Sequence, residues 1–341
     1  MTMLDIFKGD AFSVVSLTDA LNNLKFVPGR IAEMGLFNPP SGVTTTSIAI
    51  EQKDGQLILI PPTPRGGPGI TMDKTKRSIR NLSIPHFEIN DAIMAEEVQG
   101  IRAFGQETAV ETVMGKVADR GSEASQSFAA TTEYAQIGAV KGIVTYADGT
   151  TLNLFTEFGV VAQTEVDFSF DTNKDGLLRK QCAAVIRLIA NELGGLPWSG
   201  RVRAFCSDQF FDDLIANVEF RESYLGWSDA KILREGYIEP NGKSYGAVEF
   251  GGIIFENYRG SVGATKYVED DKAYLFPEGV PGLFRTYHAP ADYIETVNTV
   301  GQRMYAKMYA MQNDKGMHMD TQMNELNICT RPRVLVKAKR T

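Results

Sequence analysis

Between Gln106 and Ala139 the chain carries an apolar stripe longer than an ordinary globular helix needs. Val110, Val113, Val117, Gly121, Ala124, Phe128, Thr131, Ala135 and Ala139 recur at spacings of three and four. Eight steps cover the 29 positions from 110 to 139, a mean near 3.6, which predicts one continuous helical face. Unbroken, the helix would run roughly 50 Å at ~1.5 Å per residue. A helix of that length is a coiled coil, a membrane span or an elongated scaffold helix. Heptad leucines are absent and the stripe is small and β-branched, so a single helix lying along a sheet fits better. Gly115 and Gly121 each cost about 1 kcal/mol of helix propensity, so close packing or a bend is expected there.

Upstream, the pattern is that of strands. TTTSIAIEQ and QLILIPP flank Lys53-Asp54-Gly55, a strong hairpin signal. PPTPRGGPG (61–69) follows, which suits neither a helix nor a central strand. Arg65, Lys74, Lys76, Arg77 and Arg80 then place five cations within 65–80. The reading is a long basic ribbon with a Gly/Pro tip. An isolated two-stranded ribbon is marginal in water, so it should lie against another surface. Residues 1–43 do not form a compact unit either. Phe12, Val14 and Val15, Phe26 and Val27, and Leu36 and Phe37 are separated by Pro28-Gly29 and Pro39-Pro40. Those apolar groups need cover elsewhere, on this chain or on a neighbour. Asn90-Asp91 reads as a helix start.

Downstream of the long stripe, VTYADGTTLNLF predicts a hairpin turning at Asp148-Gly149, and TEVDFSF (164–170) a strand. Residues 174–193 read as an amphipathic helix with an Asp or Asn cap and Gly194-Gly195 at its end. RVRAFCS, AVEFGGIIFENY and KAYLFP read as strands, and Ser207-Asp208 caps a short helix between the first two. A tail hairpin (302–328) turns at Asn313–Gly316, and VLVKAK closes the chain as a strand. The class is α+β. At 341 residues, with 43% apolar and 23% charged, two substantial domains can be supported without metal or disulfide.

A net charge of −7 is a poor basis for non-specific DNA binding, which relies on cations neutralising phosphates. Three widely spaced cysteines (Cys182, Cys206, Cys329) rule out a full disulfide framework. The first residues lack a basic region before an apolar run, and no run of 18 apolar residues exists, so folding in a cytoplasm is expected. Asp171–Gly176 imitates the first half of a calcium loop, but its twelfth position is Cys182 instead of the bidentate Glu. The glycines after Arg65 lack the Lys-Ser/Thr of a phosphate loop. His86, His288 and His318 are far apart, and no G-x-S-x-G elbow occurs. No catalytic residue, metal ligand or cofactor is expected. The cations of 65–80 have no interleaved aromatics for base stacking, so acidic patches on neighbouring subunits are preferred over nucleic acid.

FSVVSLTDALNNLKFVPGRIAEMGLF (12–37), TTTSIAIEQKDGQLILIPPTPRGGPG (44–69), AEEVQGIRAFGQE (95–107), YAQIGAVKGIVTYADG (134–149), FRTYHAPADYIETVNTVG (284–301) and ICTRPRVLVK (328–337) together resemble the lambda-type tailed-phage major capsid protein E family. The likeness runs in order over nearly the whole chain, and His288 departs from an expected aromatic. The resemblance implies the Hong Kong 97-type capsid fold. It makes 1–43 an extended N-terminal arm, 44–89 an E-loop hairpin, 90–170 a peripheral domain with a spine helix, and 171–300 an axial domain. Residues 301–341 become strands returning to both domains. It also implies that Arg65, Lys74, Lys76, Arg77 and Arg80 act between subunits, and that Asp314, Lys315 and Gly316 form a loop tip at threefold contacts. The implied partners are copies of the chain as hexamers and pentamers, scaffold, portal and decoration proteins, and double-stranded DNA enclosed without specific binding, with no membrane. The implied place is the virion capsid, assembled in the bacterial host cytoplasm. Two other classes stay open: an encapsulin-like compartment shell, and a soluble two-domain enzyme.

Overall fold

The computed structural model describes residues 18, 29–37, 39–53, 77–98, 109–172, 175–225, 246–262 and 265–341. A short helix α1 (Arg30–Met34) leads to β1 (Ser41–Gly42), β2 (Ser47–Lys53), β3 (Arg77–Ser83), β4 (His86–Met94), α2 (Ala95–Val98) and the long helix α3 (Ala109–Lys141). Next come β5 (Ile143–Thr145), β6 (Thr151–Asn153), α4 (Leu154–Phe158), β7 (Val166–Asp167), α5 (Leu177–Leu193), β8 (Val202–Cys206), α6 (Asp208–Ala216) and α7 (Val218–Leu225). Strands follow, with short 3-10 turns among them: β9 (Ala247–Phe250), β10 (Ile253–Asn257), β11 (Ser261–Val262), β12 (Thr265–Lys266), β13 (Lys272–Pro277), β14 (Phe284–His288), β15 (Tyr305–Ala310), β16 (Gly316–Cys329) and β17 (Val336–Lys339).

The stripe does become one helix. α3 has 33 residues, about 50 Å of axis. Val117, Ala124, Phe128, Ala135 and Ala139 of the stripe are buried. Its middle packs on a small core of Ile93, Met304, Ala306, Met319 and Met323. Near its C-terminus Ile137 and Val140 are buried too, so the last turns are covered all round. Gly115 faces open space, contrary to the expectation of close packing there. The close approach is at Gly138, where a side chain would overlap the Val144 backbone of the returning hairpin. Among the described residues no helix is long and apolar enough to cross a membrane.

Two sheets flank this helix. In the five-stranded sheet, 14-residue β16 is the hub. Its first part pairs antiparallel with β4 (Asp320↔Asn90) and with β15 (Thr321↔Ala306). Its last part pairs with β14 (Cys329↔Phe284), and β1 runs parallel to β14. The six-stranded sheet has the order β7-β17-β13-β8-β10-β9. The last strand of the chain is thus inserted between β7 and β13, and β14 leaves the 171–300 stretch to join the other sheet. One apolar core runs through both regions.

Three local expectations give way to tertiary contacts. Asn90-Asp91 does not start a helix; it lies inside β4, whose nine residues pair with β16. A ladder of that length outweighs a capping preference worth about 1 kcal/mol. The 164–170 strand reduces to Val166–Asp167, after which Phe168 N and Phe170 N still donate to the Lys339 and Arg340 carbonyls. The α5 cap is neither Asp nor Asn. Gly176 (φ 76°) holds the cap position without a side-chain bond, and the Glu219 carboxylate accepts from Leu178 N (2.9 Å) and Arg179 N (3.2 Å). Glu219→Ala should therefore cost about 0.5–2 kcal/mol, the range for a lost cap. Urea unfolding should show a lower midpoint at unchanged slope, whereas Asp171→Ala should leave both unchanged.

Candidate functional site

The ribbon root is built as alternation demands. β2 and β3 pair from Ser47↔Ser83 to Lys53↔Arg77, with Ile48 opposite Leu82 and Ile50 opposite Arg80. Ile48 and Leu82 enter the main core. Arg80 shares their face, and its guanidinium donates to the Glu157 carbonyl at the end of α4, beside Gly159. Arg80 is thus held inside its own subunit. Arg77 starts β3 opposite Lys53, and Arg65, Lys74 and Lys76 lie outside the described residues.

The tail hairpin turns through Gln312–Asp314, with Asn313 in the left-handed region (φ 63°) and Met311 N donating to the Gly316 carbonyl at 2.9 Å. Lys315 is exposed, and its carbonyl accepts from Ala95 N at 3.0 Å. Gly316 is not part of the tip. It is the first residue of β16, opposite Met94, where a side chain would overlap the Ile93 carbonyl.

The arm expected over 1–43 divides. Residues 1–17, 19–28 and 38 lie outside the described residues, and Thr18 is buried, its hydroxyl accepting from Ala306 N at 3.3 Å. From Gly29 onward the segment belongs to its own subunit. Arg30 meets the fully buried Glu256 through two bonds, 2.5 and 3.2 Å. Arg203 bonds the same carboxylate at 2.5 Å and also pairs with Glu278. Ile31 N (3.1 Å) and Tyr258 Oη (2.6 Å) both donate to Glu133 Oε1 on α3. Burial raises that carboxyl above its ordinary range, against the two bonds. A side chain at Gly29 would displace the Glu133 carboxylate. Phe37 packs on Phe284 at 5.2 Å between ring centres. Sequence reasoning missed this clamp, because Arg30 and Glu256 are 226 positions apart and neither sits in a motif.

The groups weighed for chemistry are scattered. His86 bonds the Asn324 side chain (2.7 Å), and His318 packs on Tyr309. His288 is buried 3.8 Å from Glu325, and desolvation lowers its pKa against that carboxylate's pull. Burial pushes the Cys182 and Cys329 thiols up to about 12 and raises Cys206 well above its ordinary value, so all three are poor nucleophiles. Among the described residues no three His, Cys, Asp or Glu gather as a metal site. What the described residues present is a ribbon root set in the core and a hairpin turn backed by the β4–β16 ladder.

The family model for phage major capsid protein E matches residues 13–340. The chain belongs to that family. It is 29% identical to the major capsid protein of Pseudomonas phage KPP10, over 96% of this chain and 97% of that one. To the major capsid protein of Salmonella phage Felix O1 it is 22% identical, over 99% and 98%. The capsid asymmetric unit of cyanophage A-1(L) shares the fold at a TM-score of 0.51 with 13% identity, covering 93% of this chain and 94% of that one. The architecture is the Hong Kong 97-type capsid fold, α3 being its long helix and β16 the hub of its first sheet.

Proposed function

We propose that this capsid protein is a structural subunit, with no catalytic role, that assembles as hexamers and pentamers into an icosahedral head around double-stranded DNA. The observation that carries the reading is the family match over 13–340, joined to a ribbon root of seven residue pairs that Ile48 and Leu82 anchor in the core. In this reading residues 44–89 act between subunits through Arg65, Lys74, Lys76 and Arg77, and the 312–315 turn meets its copies at threefold positions. The net charge of −7 supports enclosure of DNA without specific binding. Scaffold, portal and decoration proteins are the further partners, and the virion is the destination, reached from the host cytoplasm. The experiment is sedimentation and electron microscopy of the protein expressed alone and with its phage's scaffold. Closed shells are expected. A compact, monodisperse monomer under both conditions would overturn the reading, and shells filled with a protein cargo instead of DNA would favour the encapsulin-like alternative.

A further inference from the structure

The loop between β14 and β15 turns side chains both ways. Ala289, Ala291, Tyr293 and Thr296 are buried, whereas Ile294 is 90% exposed, Val297 62% and Val300 61%. The loop is tied down along its length. Asp292 N donates to the Gln322 side chain (3.0 Å), Tyr293 Oη to the Asp320 carbonyl (3.2 Å), and Thr296 Oγ1 to the Ala291 carbonyl (2.8 Å). Val43 N donates to the His288 carbonyl and Gly301 N to the Val43 carbonyl, both at 2.8 Å. Lys307 pairs with Glu295 at 2.8 Å and lies over the Tyr293 ring. Such a frame holds three branched aliphatics in water, with no return inside the subunit.

We propose that residues 291–300 form a knob that seats on a second copy of this chain in the shell. The inference rests on the shell reading, which sets copies against one another. Contacts that close rings of one chain are heterologous: a convex patch meets a different, concave patch on the next copy. This chain carries such a concavity, a groove of about 470 Å³ between the β5–β6 hairpin, α4 and β17, whose mixed lining includes the apolar Ile143, Phe155, Ala162, Leu335 and Val336. Ile143 is 41% exposed, and Val161, next to Ala162, is 81% exposed. Among the described residues, the four most exposed large aliphatics (Ile294, Val161, Val297, Val300) fall at the knob and beside the groove. The groove's charges are balanced, Lys141 against Glu269 and Lys337 against Glu165, so the match rests on the apolar groups.

The test uses thiol chemistry, because the three native cysteines are buried and the introduced thiol is the reactive one. Val297→Cys is labelled with a maleimide in unassembled subunits and in intact shells, and Val300→Cys serves if the first variant fails to assemble. Labelling should be roughly tenfold or more slower in shells, as for a side chain in a packed interface core. A benzophenone maleimide at the same thiol should then cross-link two copies, with the acceptor peptide within 143–165 or 335–337. Equal labelling in shells and subunits overturns the docking while leaving the shell reading intact. An acceptor on a different protein overturns the second copy as partner, and an acceptor elsewhere on this chain overturns the groove. A wild-type preparation without shells removes the shell reading and the docking with it.

Discussion

Reversing Lys74, Lys76 and Arg77 to Glu together is expected to abolish shell assembly while leaving the isolated subunit folded. The ribbon's root is secured by its own chain, through Ile48, Leu82 and the strand pairing from Ser47 to Lys53, so folding does not need the outer cations. Beyond the root, ordering a two-stranded ribbon costs roughly 1–2 kcal/mol per backbone residue, which a partner surface must offset. Single exposed ion pairs contribute only about 0–1 kcal/mol, but a shell repeats each of them around every ring. Three reversals carry the net charge from −7 to −13 (−7 − 2 × 3), so the acidic surfaces that should attract the ribbon would repel it. Replacing the same three residues with Gln should weaken assembly less, and high salt should weaken the wild type in the same direction. Arg80 is a different case. Its bond to the Glu157 carbonyl is internal, so Arg80→Glu should instead lower subunit stability by about 1–3 kcal/mol. Sedimentation reads assembly, and thermal melting by circular dichroism reads folding. Normal shells from the triple variant at ordinary salt would remove the inter-subunit role from these residues.

Glu256→Ala should be the most damaging single change to the subunit itself. The carboxylate is fully buried and receives both Arg30 and Arg203, whose side chains are only 16% and 15% exposed. Removing one partner of a buried ionic group costs about 3–5 kcal/mol, since the remaining charges lose their compensation without regaining water. Against a typical domain stability of about 5–15 kcal/mol that is a large fraction. Arg30→Met should cost less, because Arg203 keeps both Glu256 and Glu278. Its effect should concentrate on 29–37, seen as faster amide exchange at Ile31 than in β10. Chemical denaturation of the two variants measures the difference. A Glu256→Ala protein within about 1 kcal/mol of wild type would show that the clamp is not what holds the N-terminal segment.

Much of the architecture was legible in the sequence because it rests on short-range rules. The 3.6-residue stripe produced α3, Asp148-Gly149 produced the β5–β6 hairpin, and Ser207 capped α6 through Phe210 N. Unusual runs such as PPTPRGGPG and APADYIETVNT carried the family resemblance, which the match over 13–340 bears out. The departures share one cause: each is a choice between a local preference and a partner distant in sequence. Asn90-Asp91 prefers a helix start until β16 offers a nine-residue ladder from more than 200 positions away. The α5 cap passes to Glu219, 41 residues from Leu178. Arg80 was grouped with its sequence neighbours by charge, whereas its guanidinium goes to the Glu157 carbonyl, 77 positions away. In loop 289–301, Ala291, Tyr293 and Thr296 point inward and Ile294, Val297 and Val300 outward, with no regular period to announce it. Periodicity and turn signals thus determined most of the helices and strands, and particular residue runs carried the likeness to the family. Only tertiary packing decided which charges are clamped inside and which apolar groups stay in water, because burial depends on what arrives from elsewhere in the chain.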